Sequence, residues 1–121
     1  MRVLVVDDSR PVRMRIVARL REIAGVDVVW EATDGAEAIA RARELGPDAV
    51  FLDLEMPGTS GLEAIPALKA GDRPPIVVVL TNHATPAYRS RCLSLGADHF
   101  FDKAIDLERA ADVLAALAHR T

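Results

Sequence analysis

Two kinds of apolar pattern alternate along the chain. Five short runs rich in β-branched residues are separated by segments whose apolar residues recur at helical spacing. The strand-like runs cover residues 3–6, 26–30, 49–52, 76–80 and 98–102. Helical segments between the strands can carry the chain back across the sheet, so that consecutive strands run parallel. The alternation therefore predicts an α/β fold of the doubly wound class, a five-stranded parallel sheet covered by helices on both faces.

Capping and breaking residues mark the ends of the predicted helices. The first helix is predicted to run from Pro11 to about Ile23. The second is opened by Thr33 or Asp34 and stopped by Gly46-Pro47. The third follows Ser60-Gly61, and Pro66 should kink or shorten it.

The last two predicted helices also begin at capping residues. The fourth begins at the cap Thr85 and ends at Gly96, and the fifth is capped by Asp106. The side chains expected to face the core are Val12, Ile16, Leu20 and Ile23 in the first helix, Ile39 and Leu45 in the second, Leu62, Ile65 and Leu68 in the third, and Leu107, Ala110, Leu114 and Leu117 in the fifth.

Composition excludes several classes of function. A net charge of -3 argues against direct nucleic-acid binding, and no apolar stretch approaches the length of a membrane span. Cys92 is the only cysteine and cannot form an internal disulfide, which fits a reducing, cytoplasmic location. The length predicts one domain over residues 1–121, without an effector domain, and any output is expected to use this domain's own surface.

Polar residues follow the predicted strands. Asp7 and Asp8 follow the first run, Asp53 the third, Thr81 the fourth and Lys103 the fifth. Because ligand and reaction sites of open parallel sheets lie beyond the carboxyl ends of the strands, these side chains are expected to converge. Carboxylates suit a hard cation such as Mg²⁺. Together with an ammonium and a hydroxyl, they are apt for covalent phosphoryl chemistry on a carboxylate.

In order and spacing, several motifs along the whole chain resemble the receiver domain of bacterial two-component response regulators. The motifs are Val5-Val6-Asp7-Asp8-Ser9-Arg10, Thr33-Asp34-Gly35, Asp53-Leu54-Glu55-Met56-Pro57-Gly58, Leu80-Thr81, and Gly96-Ala97-Asp98 leading to Lys103. The resemblance implies a flavodoxin-like sheet of strand order 2-1-3-4-5. It also implies a signalling protein that catalyses only its own phosphorylation and dephosphorylation.

The resemblance assigns expected roles at the acidic site. Asp53 is the expected phosphoacceptor, and a histidine kinase or a histidine phosphotransfer protein is expected to supply the phosphoryl group. Asp8, Asp53 and the backbone carbonyl of Glu55 are expected to ligate Mg²⁺ directly, with Asp7 acting largely through water. Thr81 and Lys103 are expected to hold phosphoryl oxygens.

A switch and an output face are also implied. Thr81 is expected to move on phosphorylation, and Phe100 occupies the family's switch-aromatic position. The output face is expected to comprise the fourth helix, the fifth strand and the fifth helix, including Tyr88 and Arg89. There the protein would bind an unknown target or form a homodimer.

The sequence departs from the family pattern at two positions. Ala104 stands where most receivers have proline after the lysine, and a trans Lys103–Ala104 bond is predicted, since a non-proline cis bond costs about 2.5–4 kcal/mol. Asn82 replaces the usual small residue after Thr81 and borders the phosphate pocket. With Glu55 and His83, it is expected to tune the lifetime of the phosphate.

The first predicted helix carries an exposed basic run that is typical of a solvated face. Met14 lies opposite the core face, between Arg10 and Arg21, which is the makeup of an adaptable docking patch. Receivers meet kinases and phosphotransfer proteins here and near the loop that contains Ala104.

Other functions remain open at this point. Within the family, the chain could be a phosphorelay shuttle, a phosphate sink, or a phosphorylation-independent pseudo-receiver that acts as a binding module. Outside it, a phosphatase or phosphotransferase with an Asp nucleophile gains only weak support from Asp53-Leu54-Glu55. Dinucleotide binding is excluded because no glycine-rich turn follows the first strand.

Overall fold

The computed structural model describes residues 1–55 and 60–119, and within these ranges strands and helices alternate throughout. The strands are β1 (Arg2–Val6), β2 (Val28–Ala32), β3 (Ala49–Asp53), β4 (Ile76–Thr81) and β5 (His99–Asp102). The helices are α1 (Arg10–Arg21), α2 (Gly35–Leu45), α3 (Gly61–Leu68), α4 (Pro86–Ser94) and α5 (Leu107–Ala118). All strand pairs are parallel and the order is β2-β1-β3-β4-β5, which confirms the predicted doubly wound, flavodoxin-like fold.

The sheet separates two apolar cores, because successive strand residues point to opposite faces. In β1, Leu4 faces the core under α2, α3 and α4, whereas Val5 faces the core under α1 and α5. Phe100 and Phe101 likewise divide between the two cores. Every residue of β3 is buried, so the strand that ends at Asp53 is held on both faces and both edges.

Most of the predicted helix caps are present. The side chains of Asp34, Ser60 and Thr85 each accept a hydrogen bond from a backbone N–H in the first turn of the helix that follows. Gly46 ends α2 with φ of 60°, a left-handed conformation that favours glycine. The third helix, α3, ends two residues after Pro66 and is only 8 residues long, as the proline predicted.

Three predictions about the ends of helices and strands were wrong. The second strand begins at Val28, not at residue 26, because the N–H of Val26 bonds to the carbonyl of Ile23 in the turn after α1. That turn also ends α1 at Arg21, before residue 23. Asp106 precedes α5 but does not cap it with its side chain, since its Oδ2 accepts a hydrogen bond from the N–H of Asp102 instead.

Alanines bring the outer helices close to the sheet. In α2, Ala38 is fully buried, and Ile39 packs against the core as predicted although it is only half-buried, whereas Leu45 is half-buried and lies outside the core, contrary to prediction. Half-burial also applies to other expected core residues, namely Val12, Leu62, Leu107 and Leu117. In the described part of the chain, no helix is long and apolar enough to cross a membrane.

Candidate functional site

Three acidic side chains converge at the carboxyl ends of β1 and β3, which are neighbours in the sheet. Ligand atoms of Asp7, Asp8 and Asp53 all lie within 4.8 Å of one another. Asp7 and Asp53 are buried, with 1% and 2% of their surface exposed, and Asp8 is open to solvent. The predicted convergence of these carboxylates is present in the structure.

Lys103 supplies the positive charge of this cluster. Its Nζ lies 2.7 Å from Asp7 Oδ2 and 3.2 Å from Asp53 Oδ2. Burial lowers the pKa of Lys103, but its hydrogen bond to Asp7 and the charges of both carboxylates outweigh that effect and leave the pKa above its ordinary value. The ammonium is therefore held charged between two buried acids.

Asp53 is an unusually basic carboxylate. Burial is the largest cause, and together with the negative charge of Asp7 it raises the pKa of Asp53 from 3.8 to about 6. The N–H of Glu55, 3.2 Å from Asp53 Oδ1, and the charge of Lys103 act in the opposite direction. An ionised Asp53 thus carries unbalanced negative charge in this site.

The donor set fits Mg²⁺. Carboxylate oxygens are the ligands that hard dications prefer, and three carboxylates lie close enough to share one ion. One ammonium does not balance three crowded carboxylates, so a dication has a clear electrostatic reason to bind.

Thr81 is buried at the end of β4, and its hydroxyl contacts Glu55 rather than the acidic cluster. Thr81 Oγ1 donates to Glu55 Oε1 at 3.2 Å and accepts from the N–H of His83 at 3.0 Å. The same Glu55 oxygen lies 2.8 Å from His83 Nδ1. Sequence reasoning named Glu55 and His83 separately and missed that they contact each other. The contact could have been predicted from the sequence positions of the two residues, because each lies two residues beyond the end of one of two adjacent strands.

The remaining pocket residues lie further out. Asn82 is exposed and forms no hydrogen bond among the described residues. Phe100 is 7% exposed and packs inward, in the core under α3 and α4. The Lys103–Ala104 bond is trans, as predicted, and the N–H of Ala104 donates to Asp102 Oδ1 at 2.8 Å. Met56, Pro57 and Gly58 of the acidic motif lie outside the described residues.

The α1 surface separates into two groups of arginines. Arg10 and Arg21 are exposed, and Met14 has 50% of its surface exposed, so these side chains are accessible while docking at this patch stays a prediction. Arg13 and Arg19, in contrast, form ion pairs with Glu31 and Glu108. The whole basic run is therefore not a free solvated face.

Gly61 was missed as a residue that shapes the site. A Cβ at this position would lie 2.5 Å from the carbonyl oxygen of Asp53 and 2.7 Å from the Cα of Leu54. Both neighbours are backbone atoms of the segment leaving β3, so they cannot move aside without displacing Asp53. Glycine is required here for close approach, at the start of α3.

Comparisons with known proteins agree with this geometry. Residues 3–115 match the family model described as the response regulator receiver domain. The response regulator GacA of Pseudomonas viridiflava is 41% identical over 106 residues, which cover 88% of this chain and 50% of GacA. The chain thus spans about half the length of this relative.

Solved structures give the same result. The signal receiver domain of the response regulator NarL from Mycobacterium tuberculosis is 31% identical with a TM-score of 0.88, covering 98% of this chain and 95% of that domain. The response regulator domain of Thermotoga maritima CheB is 31% identical with a TM-score of 0.84, and the match covers 99% of this chain and 94% of that domain. The chain therefore belongs to the response regulator receiver domain family.

Proposed function

We propose that this receiver is a phosphorylation-dependent switch. Its phosphoryl acceptor is Asp53, which receives the phosphoryl group from a histidine kinase or a histidine phosphotransfer protein. The observation that carries the proposal is the setting of Asp53. It is a buried carboxylate of raised pKa, with Lys103 Nζ at 3.2 Å and two further acids beside it. This combination of a basic carboxylate and a fixed cation suits a nucleophile that attacks phosphorus.

In the proposed reaction, an Asp53 carboxylate oxygen forms a bond to phosphorus while the P–N bond of the donor phosphohistidine breaks. The leaving nitrogen takes up a proton from solvent, so that the imidazole leaves as the neutral ring, and an acyl phosphate remains on the receiver. Lys103 stays in place and neutralises charge on the phosphoryl oxygens.

Asp8, Asp53 and the Glu55 carbonyl are the proposed direct ligands of Mg²⁺, with Asp7 acting through water. The ion, when bound, supplies further neutralisation of the phosphoryl charge.

The switch is proposed to start at Thr81. In the present state its hydroxyl donates to Glu55, so it must leave Glu55 to donate to a phosphoryl oxygen. Phe100, which packs beside β4, is the proposed element that carries this change outward. A groove of about 530 Å³ between α4, β5 and α5 lies next to Phe100, and it is the proposed surface for a target protein or a second copy.

The proposal is tested by following intact mass over time after addition of Mg²⁺ and a small phosphodonor. Wild-type protein should gain one phosphoryl adduct, and Asp53→Asn should gain none. A lasting adduct indicates a signalling switch, and rapid loss indicates a shuttle or a sink. A folded protein that binds Mg²⁺ but forms no adduct would instead indicate a phosphorylation-independent binding module.

The contact between Glu55 and His83 predicts an effect on phosphate lifetime. Glu55→Ala removes a carboxylate that repels or misorients the attacking water, so we expect several-fold faster loss of the adduct. His83→Ala should slow the loss by a similar factor, because this side chain can orient that water. The measurement is adduct decay by mass spectrometry.

The double variant of Glu55 and His83 is the control, because residues in contact should not have additive effects. The assignment would be contradicted if the effects of the two single variants on the activation free energy of adduct decay simply added in the double variant. Unchanged decay in both single variants would also contradict it. Asp53 should remain the labelled residue in every variant.

Met14 predicts a separate effect on phosphotransfer. We expect Met14→Glu to slow transfer from a phosphorylated partner, because it places a charge in the exposed apolar centre of the α1 patch. Labelling by a small phosphodonor should be unchanged. Val28→Glu, which alters an exposed apolar residue on the edge strand β2, should leave both reactions unchanged. Equal slowing of both reactions by Met14→Glu would contradict the docking assignment.

A further inference from the structure

Arg13 is the α1 arginine that connects the helix to the acidic site. Its side chain is 13% exposed, and Nε lies 2.8 Å from Glu31 Oε1 on β2. Its Nη1 donates a hydrogen bond of 2.9 Å to the backbone carbonyl of Asp7. One guanidinium therefore joins α1, the edge strand β2 and the segment that leaves β1.

The carbonyl that Arg13 holds lies in the peptide plane that joins Asp7 to Asp8. Because a peptide unit is rigid, fixing this carbonyl sets the direction in which the chain enters Asp8. The other polar atoms of Asp7 are also held, its N–H by the Ala32 carbonyl at 3.1 Å and its Oδ1 by the Ser9 N–H at 2.9 Å. The residue that precedes the solvent-exposed Asp8 is therefore held through its N–H, its carbonyl and its side chain.

Helix capping does not supply this support. Ser9 lies at the N-cap of α1 without a side-chain capping hydrogen bond, and the first turn carries no acidic residue. Among the described residues of α1, Arg13 is thus the side chain that ties the helix to the Asp7 and Asp8 segment.

We propose that Arg13 and Glu31 form a positioning pair for metal binding. Glu31 orients the guanidinium, and the guanidinium fixes the peptide plane that places Asp8 in the acidic cluster. Lysine cannot replace it, since a single ammonium lacks the rigid fork that contacts a carboxylate and a carbonyl together. The inference rests on the Mg²⁺ site of the proposed function and adds residues that do not touch the ion.

If Arg13 acted only through its charge, its removal would change the Mg²⁺ affinity in the opposite direction to that expected from loss of positioning. Removing a cation near three carboxylates should strengthen Mg²⁺ binding by reducing repulsion. Loss of positioning should weaken it, by about tenfold if Arg13 acts like other partners that orient metal ligands. The direction of the change in Arg13→Ala therefore separates the two effects.

The experiment is calorimetric titration of the folded protein with Mg²⁺ alone, in wild type, Arg13→Ala, Arg13→Lys and Glu31→Gln. We expect about tenfold weaker binding in both Arg13 variants and a smaller loss in Glu31→Gln. The double variant Arg13→Lys/Glu31→Gln should bind no more weakly than Arg13→Lys. Arg19→Ala and Arg19→Lys are the matched controls, since Arg19 also forms an ion pair on α1, and they should bind as wild type does.

Unfolding in metal-free buffer distinguishes positioning from a merely structural role. An Arg13→Lys variant that is less stable but keeps the wild-type dissociation constant overturns the inference, and so does tighter binding in Arg13→Ala. If wild-type protein binds no Mg²⁺, the proposed metal site fails together with this inference. Normal wild-type binding with unchanged Arg13 variants overturns this inference alone.

Discussion

Replacing Asp53 with asparagine should stabilise the metal-free protein at neutral pH while abolishing phosphorylation. The buried carboxylate has its pKa raised from 3.8 to about 6, so ionised Asp53 is less favourable in the folded state than in the unfolded state. At about 1.4 kcal/mol per pKa unit, the penalty approaches 3 kcal/mol as an upper value. Asparagine removes the charge and keeps an oxygen that can accept from the Glu55 N–H.

The stabilisation by Asp53→Asn should depend on pH in a defined direction. Above the folded pKa of about 6, Asp53 is charged in both states and the full penalty is present. As the pH falls from about 6 towards 3.8, the folded state takes up a proton before the unfolded state, so the penalty disappears. The advantage of asparagine should therefore be largest at neutral pH and small below the ordinary carboxyl pKa.

Urea unfolding in the presence of a chelator measures this difference, at neutral pH and near pH 4. Asp72→Asn, a change of the same kind at an exposed aspartate, should have little effect at either pH. Saturating Mg²⁺ should reduce the gain, because the ion stabilises the wild-type folded state. If Asp53→Asn brings no gain in the free energy of unfolding at neutral pH, or an equal gain at neutral pH and near pH 4, the ionised Asp53 is not the cause of the destabilisation.

Replacing Lys103 with methionine should be strongly destabilising at neutral pH. The change leaves Asp7 and Asp53 buried without the cation at 2.7 and 3.2 Å, and removing one partner of a buried ion pair costs about 3–5 kcal/mol. The folded pKa of Lys103 lies above 10.5, so its stabilisation is fully present at neutral pH and is lost only as the pH rises through that folded value. Phosphorylation should also be lost, because no other described cation lies between the two acids.

Rescue separates the stability effect of Lys103→Met from its chemical effect. Adding Asp7→Asn to Lys103→Met should restore much of the stability by removing one uncompensated charge, yet leave phosphorylation absent. Lys69→Met is the control, because Lys69 forms an ion pair with Asp98 in another region. It should lower stability but retain the phosphoryl adduct. A Lys103→Met protein as stable as wild type, or one that forms the adduct normally, would contradict the role of the ammonium.

Local signals made the fold predictable. The β-branched runs and the caps at Asp34, Ser60 and Thr85 act over a few residues, so strand and helix positions could be predicted without the tertiary structure. Where a long-range contact competed, the prediction was wrong. The Asp106 side chain bonds to Asp102, and Val28 starts β2 by pairing with β1, neither of which is evident from the local pattern.

Because the strand ends of parallel βα units must lie together, the sequence was enough to predict that three acids, a hydroxyl and an ammonium end at one edge of the sheet. Which of those groups contact one another depends on the tertiary structure. It joins Lys103 to Asp7 and Asp53, turns the Thr81 hydroxyl towards Glu55, and assigns Arg13, but not Arg10, to the acidic site. Such pairings depend on side-chain directions and distances between elements far apart in the chain, which packing of the two cores fixes and a linear pattern does not contain.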